Sequence, residues 1–400
     1  MKTAPAFAIV VLALLTGAAG PVRGGSYSRV AGHAPAVVVG EPLASQAPVC
    51  KKCQSNGRLP CSEHPASECA SEDDVLYCSM VAPCTVCAGT GFVPCPECKN
   101  EEVRAALEKK KASFPKIVAN LKHLDDKMGR ALTKVETQHF VLVWDLERIK
   151  VEKKFLNQHE GMHLYAKRLE RLYSDYLARM QLTDKDFREK FKVFVWWLPK
   201  DHQEGALAFC GQNSSGGVKL MGTTPSYSVC GNKQNFQDDD KLHRNVVHSV
   251  THLMLSAQQF PQWIGNIKGG WADEGLSHWF EDRYWGICDN YCYQEANSNV
   301  DFKSGKFKLA VRKLVEMDKA PSVAEVFERN VDTLTLPEHA VSFSYVDYFM
   351  TRDGAKFRDL AAELKRKVPT RDALKKIYGF GPLEFESMWK AWVLQTYPTK

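Results

Sequence analysis

Two rhythms of hydrophobic positions alternate along the chain. From Glu101 to Leu132, Leu107, Ile117, Leu121 and Leu124 recur at helical intervals among charged residues. Pro115 falls within that stretch, so the pattern predicts two helices there rather than one. His139 to Trp144 is an apolar run of strand length, and Phe191 to Leu198 is a second. Between them, Glu152 to Leu182 spaces its leucines as a long helix does. Leu207 to Cys230 mixes Gly, Ser and apolar residues, which predicts short strands and turns. Leu242–Leu255 has the pattern of an amphipathic helix, Trp271–Glu281 predicts another, and an aromatic-rich helix reaching Trp392 closes the series. Strands mixed with helices in this order indicate an α+β fold with a strand–helix lead-in and a helical second half.

Composition narrows the function classes. The 400 residues are 44% hydrophobic and 25% charged, which sets aside disorder and collagen-like repetition. A net charge of +6, from 53 basic and 47 acidic residues, is too even for a chain devoted to nucleic acid. The Lys109-Lys110-Lys111 run reads as a solvated helix face. At the N-terminus, Met1-Lys2, the apolar stretch Ala6–Leu15 and small residues to Gly20 have the layout of a secretory signal peptide. Residues 1–20 are therefore expected to be removed, and the mature protein to be exported, periplasmic or extracellular, with no membrane span. Residues 21–48, rich in Gly, Pro, Ala and Ser, predict a flexible linker.

Thirteen cysteines change the picture, because nine of them lie between Cys50 and Cys98. They form paired knuckles: Cys50/Cys53, Cys61/His64, Cys84/Cys87 and Cys95/Cys98. A two-residue gap lets both side chains of a knuckle reach one tetrahedral zinc ion. Seven residues separate the first pair from the second, and seven the third from the fourth, so the unit repeats. Gly57, Gly89 and Gly91 suit the positive-φ turns that knuckles need. This segment, residues 49–100, resembles the cysteine-rich zinc domain of DnaJ-type chaperones, whose unit is CxxCxGxG. Only the third pair carries both glycines, and a histidine replaces one sulfur. Eight ligands imply two zinc ions, combined either locally or in a nested order. The remaining Cys69, Cys78, Cys210, Cys230, Cys288 and Cys292 are even in number. In an exported protein they can form disulfides, with neighbours in sequence the simplest pairing. A disulfide-stapled knuckle segment is the competing reading.

Beyond a helical connector at 101–135, the body at 136–396 carries the second constellation. His248 and His252, at i and i+4 on one predicted helix, project from one face and can share a metal ion. Glu274-Gly275 follows on the next predicted helix and offers a carboxylate as third ligand. These residues resemble the gluzincin metallopeptidases (peptidase MA-like, the thermolysin and aminopeptidase N group), which read HExxH and then place a glutamate ligand on the following helix. The resemblance implies zinc held by His248, His252 and Glu274. It also implies Asp273 behind a ligand histidine, Glu281 as a further acidic residue nearby, and His339 or Tyr345 as an oxyanion-stabilising group. One position departs from the family: the catalytic glutamate after the first histidine is Ser249. A serine hydroxyl is too short and too weakly basic to take a proton from the attacking water, and losing such a base typically costs about 10²–10⁴-fold in rate.

A literal HExxH match, His159-Glu160-Gly-Met-His163, stands earlier in the chain. No Glu-Gly helix follows it at short range, so it is a secondary candidate metal site. The expectation is an exported, zinc-binding, catalytically degenerate peptidase-like protein that holds a peptide or protein ligand in its cleft. Two alternatives are an active zinc hydrolase using another base or the upstream motif, and a redox or chaperone-like protein built on its CxxC pairs.

Overall fold

The computed structural model describes residues 50–63, 75–98, 100–232, 239–292 and 302–400. The expected signal peptide and linker, His64 and Cys69 lie outside the described residues. Residues 50–400 form one unit.

Its framework is a six-stranded sheet flanked by helices. β1 (Arg58–Pro60), β2 (Val75–Cys78) and β3 (Phe92–Pro94) come from the cysteine-rich segment, followed by helix α1 (Glu101–Met128). β4 (Lys134–Thr137) and β5 (Phe140–Trp144) precede a hairpin of β6 (Arg148–Val151) and β7 (Lys154–Asn157). Then come α2 (Gln158–Met180), β8 (Phe191–Trp196), α3 (Pro199–Cys210), β9 (Val218–Leu220) and β10 (Ser226–Cys230). The rest is helical: α4 (Asp239–Ala257), α5 (Gly270–Trp285), α6 (Phe307–Glu316), α7 (Val323–Val326), α8 (Leu336–Arg352), α9 (Gly354–Lys365), α10 (Thr370–Tyr378) and α11 (Pro382–Thr396). The sheet order is β2-β4-β5-β8-β10-β9. β5, β8 and β10 run parallel, and the outer neighbours are antiparallel. Helices α2 and α3 make the two parallel crossovers, as parallel pairs require. β2 places a strand of the cysteine-rich segment directly in the body's sheet.

Both apolar runs are the sheet's central strands, buried throughout in β5 and almost throughout in β8. Three expectations need correction. α1 is a single helix that continues through Pro115. The carbonyl deprived of a donor by that proline belongs to Lys111, an exposed residue of a largely solvated helix, so water can replace the bond. The helix expected from Glu152 begins only at Gln158, where Asn157 and Glu160 form a capping box. The preceding residues are hairpin, turning at Glu152 with φ of 52°. α4 is not amphipathic, because every residue from Arg244 to Gln258 is buried. It runs through the interior, and Lys365 Nζ donates to the carbonyls of Ser256 (3.2 Å), Gln258 (2.7 Å) and Phe260 (3.2 Å) at its end.

The disulfide expectation is also corrected. Cys78, Cys210, Cys230, Cys288 and Cys292 form no disulfide with one another. Cys210 Sγ points at the Val218 carbonyl (3.6 Å) and Cys230 Sγ at that of Trp197 (3.7 Å). Cys288 Sγ donates to the His278 carbonyl at 3.3 Å, whereas Cys292 turns toward His248 and His252. Different partners separate Cys210 from Cys230 and Cys288 from Cys292, while Cys69, the neighbour expected to pair with Cys78, lies outside the described residues.

His139 and Glu170 join β5's lead-in to α2. His139 Nδ1 lies 2.6 Å from Glu170 Oε2, Glu170 Oε1 accepts from the His139 main-chain N–H at 2.9 Å, and Tyr173 stacks on the imidazole. Burial opposes charging of both side chains, but their mutual hydrogen bond outweighs it, raising the histidine pKa and lowering that of the carboxyl. The raised histidine contributes stability that is complete below its unfolded value of about 6.5 and is lost as pH rises through its folded value. The lowered carboxyl contributes stability that is complete above its unfolded value of about 4.3 and is lost as pH falls through its folded value. Glu170→Gln is therefore expected to cost about 1–2 kcal/mol near pH 5.5 and less near pH 8. Urea unfolding at the two pH values checks this.

Candidate metal centre

α4 presents His248 and His252 one turn apart, and α5 brings Glu274 against them. On its other side α5 packs on α8 through Gly275: a Cβ there would stand 2.5 Å from the Ser342 carbonyl oxygen, so only glycine lets these two helices close. That contact accounts for the Glu-Gly dipeptide read in the sequence.

Four donors converge. His248 Nε2 and His252 Nε2 are 3.1 Å apart, and Glu274 lies 3.6 Å from each. Cys292 Sγ lies 3.5 Å from His248 Nε2 and 3.3 Å from His252 Nε2. All four residues are buried. Zinc–ligand bonds of about 2.0–2.1 Å to nitrogen and 2.3 Å to sulfur put tetrahedral donors about 3.3–3.6 Å apart, so the set fits such an ion. A second observation agrees. Neither oxygen of the fully buried Glu274 carboxylate has a hydrogen-bond partner among the described residues, a costly state that a cation relieves.

The surroundings support ligation. Asp273 Oδ1 lies 2.9 Å from His252 Nδ1, while its Oδ2 accepts from Trp263 Nε1 at 2.6 Å. Glu281 lies behind His248, 3.6 Å from Nδ1, and 3.1 Å from His278 Nδ1; the Asn290 amide also donates to it. Burial pushes the His248 imidazole well below its ordinary pKa and His278 down to about 3, so both are neutral. Burial alone would raise Glu274, but the His339 imidazole at 3.4 Å and the neighbouring histidines outweigh it and keep the carboxyl ionised.

The oxyanion expectation is corrected. His339 is fully buried behind Glu274, with its Nδ1 also 3.1 Å from His278 Nε2. Tyr345 lies in an aromatic cluster with Trp271, Phe327, Phe385 and Trp389. Neither lines the cleft of about 490 Å³ beside the centre, whose wall includes His252, Asp273, Cys292, Val218, Lys219 and Trp263. Ser249 is buried, and its hydroxyl has no partner among the described residues. Cys292 is the candidate ligand that sequence reasoning missed. Pairing cysteines by sequence proximity assigned it to Cys288, and no local pattern announces that this segment returns to α4.

The cysteine-rich segment resolves the local-or-nested question. Cys50, Cys53, Cys95 and Cys98 form one group, and Cys61, Cys84 and Cys87 another, so the order is nested. β1 and β3 pair antiparallel to bring the ends together, with Cys61 N–H donating to the Gly91 carbonyl and Cys95 N–H to that of Gly57. Gly57, Gly89 and Gly91 all have positive φ, and Ser55 (68°) takes the place that glycine holds at position 89. A hydrogen bond from Cys98 and the Cys53 main-chain N–H hold the Cys50 thiol down to about 7, toward the thiolate a metal needs.

Glu160 of the upstream motif caps α2, accepting from the Asn157 main-chain N–H at 3.0 Å, and is not aimed at a metal. His159 and His163 form a third group, with Cys78. Among the described residues no helix is long and apolar enough to cross a membrane. Comparison with protein-family models finds no matching family, and comparison with curated proteins finds no match.

Proposed function

We propose that this is an exported zinc-binding protein with a gluzincin-like body that does not hydrolyse peptides and instead binds an extended polypeptide segment in its cleft. The observation that carries the proposal is the position of Cys292. Catalytic zinc sites use three protein ligands and keep one position open, whereas structural sites close all four. Here a sulfur stands where the open position would be, and Ser249 stands where the base would be. When bound, zinc would neutralise the Glu274 carboxylate and polarise groups that reach it. The chain's own residues orient the donors through Asp273 and Glu281 and offer no carboxylate at position 249 to accept a proton. The knuckle segment, with its DnaJ-like nested pairs, acts in this reading as a zinc-stabilised interaction and stability module.

The cleft supports a peptide ligand. β9 is an edge strand of the sheet, and its Val218 and Lys219 line the cleft beside the centre. An edge strand offers main-chain donors and acceptors to an added strand. The test is fluorescence anisotropy with a set of unstructured peptides, together with mass analysis of the same mixtures. Binding without cleavage is expected, and Gln212→Trp at the exposed cleft rim should weaken it at least tenfold. Cleavage by the unaltered protein, or binding insensitive to Gln212→Trp, would overturn the proposal.

A further inference from the structure

We infer that Cys78, His159 and His163 hold a divalent transition-metal ion of their own, separate from the His248 centre, and that this ion fastens edge strand β2 to helix α2. Three observations carry the inference. The ligand atoms all lie within 4.8 Å of one another, although Cys78 ends β2 and the two histidines occupy the first turns of α2. The geometry repeats that of the four-donor centre. The rings of His159 and His163 stand 4.7 Å apart at 80°, against 4.8 Å and 68° for His248 and His252. The sulfur-to-nitrogen distance is 3.4 Å, against 3.3 and 3.5 Å there. Finally, Cys78 and His163 are both buried, and His163 Nδ1 has no partner among the described residues. Its other nitrogen, Nε2, meets the Cys78 thiol, a weak hydrogen-bond partner, and a cation seated between that nitrogen and the sulfur would give the buried ring a strong one.

The donor set of one sulfur and two nitrogens suits zinc and its softer neighbours rather than magnesium or calcium. With Glu160 committed to capping α2, the HEGMH pattern serves here as two ligands on one helix face, without a base. The consequence is structural. β2 belongs to the cysteine-rich segment yet completes the body's sheet, and the ion would tie that segment to the body across the loop from residue 78 to residue 159.

The test is zinc content of the full-length purified protein by elemental analysis. His159→Gln alters a half-buried position and should fold; Cys78→Ala and His163→Gln alter buried ones. Each is expected to carry one ion fewer per chain than the parent, and pairing any two should remove no more. Combined with His248→Ala/His252→Ala, His159→Gln should remove one further ion, which keeps this result independent of the proposed function. In His159→Gln, Cys78 should also react faster with a thiol reagent, by at least tenfold. Full zinc content in folded His159→Gln, or no further loss in the combined variant, would overturn the inference.

Discussion

Replacing Ser249 by Glu and Cys292 by Ala together should convert the zinc-loaded protein into a measurable peptidase. The double change supplies the missing base and vacates the position that sulfur holds. General acid–base help is worth about 10²–10⁴-fold in rate, so cleavage of an unstructured peptide should rise from undetectable by at least two orders of magnitude. Ser249→Glu alone should remain silent, because four protein donors still close the centre. Adding His252→Ala should abolish the gain. The assay is peptide cleavage followed by mass analysis, with zinc content and circular dichroism confirming loaded, folded protein. A folded, zinc-loaded double variant that cleaves nothing would show that these two positions do not explain the silence.

Removing the metal should have the second large effect, on stability. Glu274 is fully buried and accepts no hydrogen bond among the described residues, so in the absence of a cation its charge has only the surrounding imidazoles beside it. Breaking a buried ionic arrangement by removing one partner costs about 3–5 kcal/mol. His248→Ala/His252→Ala is expected to lose at least that much, since it adds a cavity to the unpaired carboxylate. Glu274→Gln in the same background should restore part of the loss by removing the stranded charge. Guanidinium unfolding of the three proteins measures this, and equal stability of the histidine variant and the parent would contradict it.

What local pattern could reveal, and what it could not, follows from how each residue reaches its place. His248 and His252 were legible because helical periodicity alone puts i and i+4 on one face. Glu274 was legible through its neighbour Gly275, which the α5–α8 approach requires. The repeat of paired cysteines was equally plain, but whether the pairs combine locally or in a nested order depends on β1 meeting β3, a contact between distant segments. Cys292 and Cys78 escaped for the same reason. Each becomes a candidate ligand only when the chain returns over a helix that carries a histidine pair, and parity counting then misassigned both to disulfides. The β6–β7 hairpin was hidden by the helical composition around it, with Glu152 in the left-handed region making the turn. The upstream HEGMH segment was read as secondary because no Glu-Gly helix follows it; its partner is a cysteine more than eighty residues earlier.

The central claim is that His248, His252, Glu274 and Cys292 hold one metal ion in the body, and zinc content tests it most directly. Elemental analysis of the purified protein and of its His248→Ala/His252→Ala variant should show one zinc per chain fewer in the variant, with the ions of the cysteine groups retained. Equal zinc content in the two proteins would mean that the histidines are buried structural residues and that the body holds no metal at this centre.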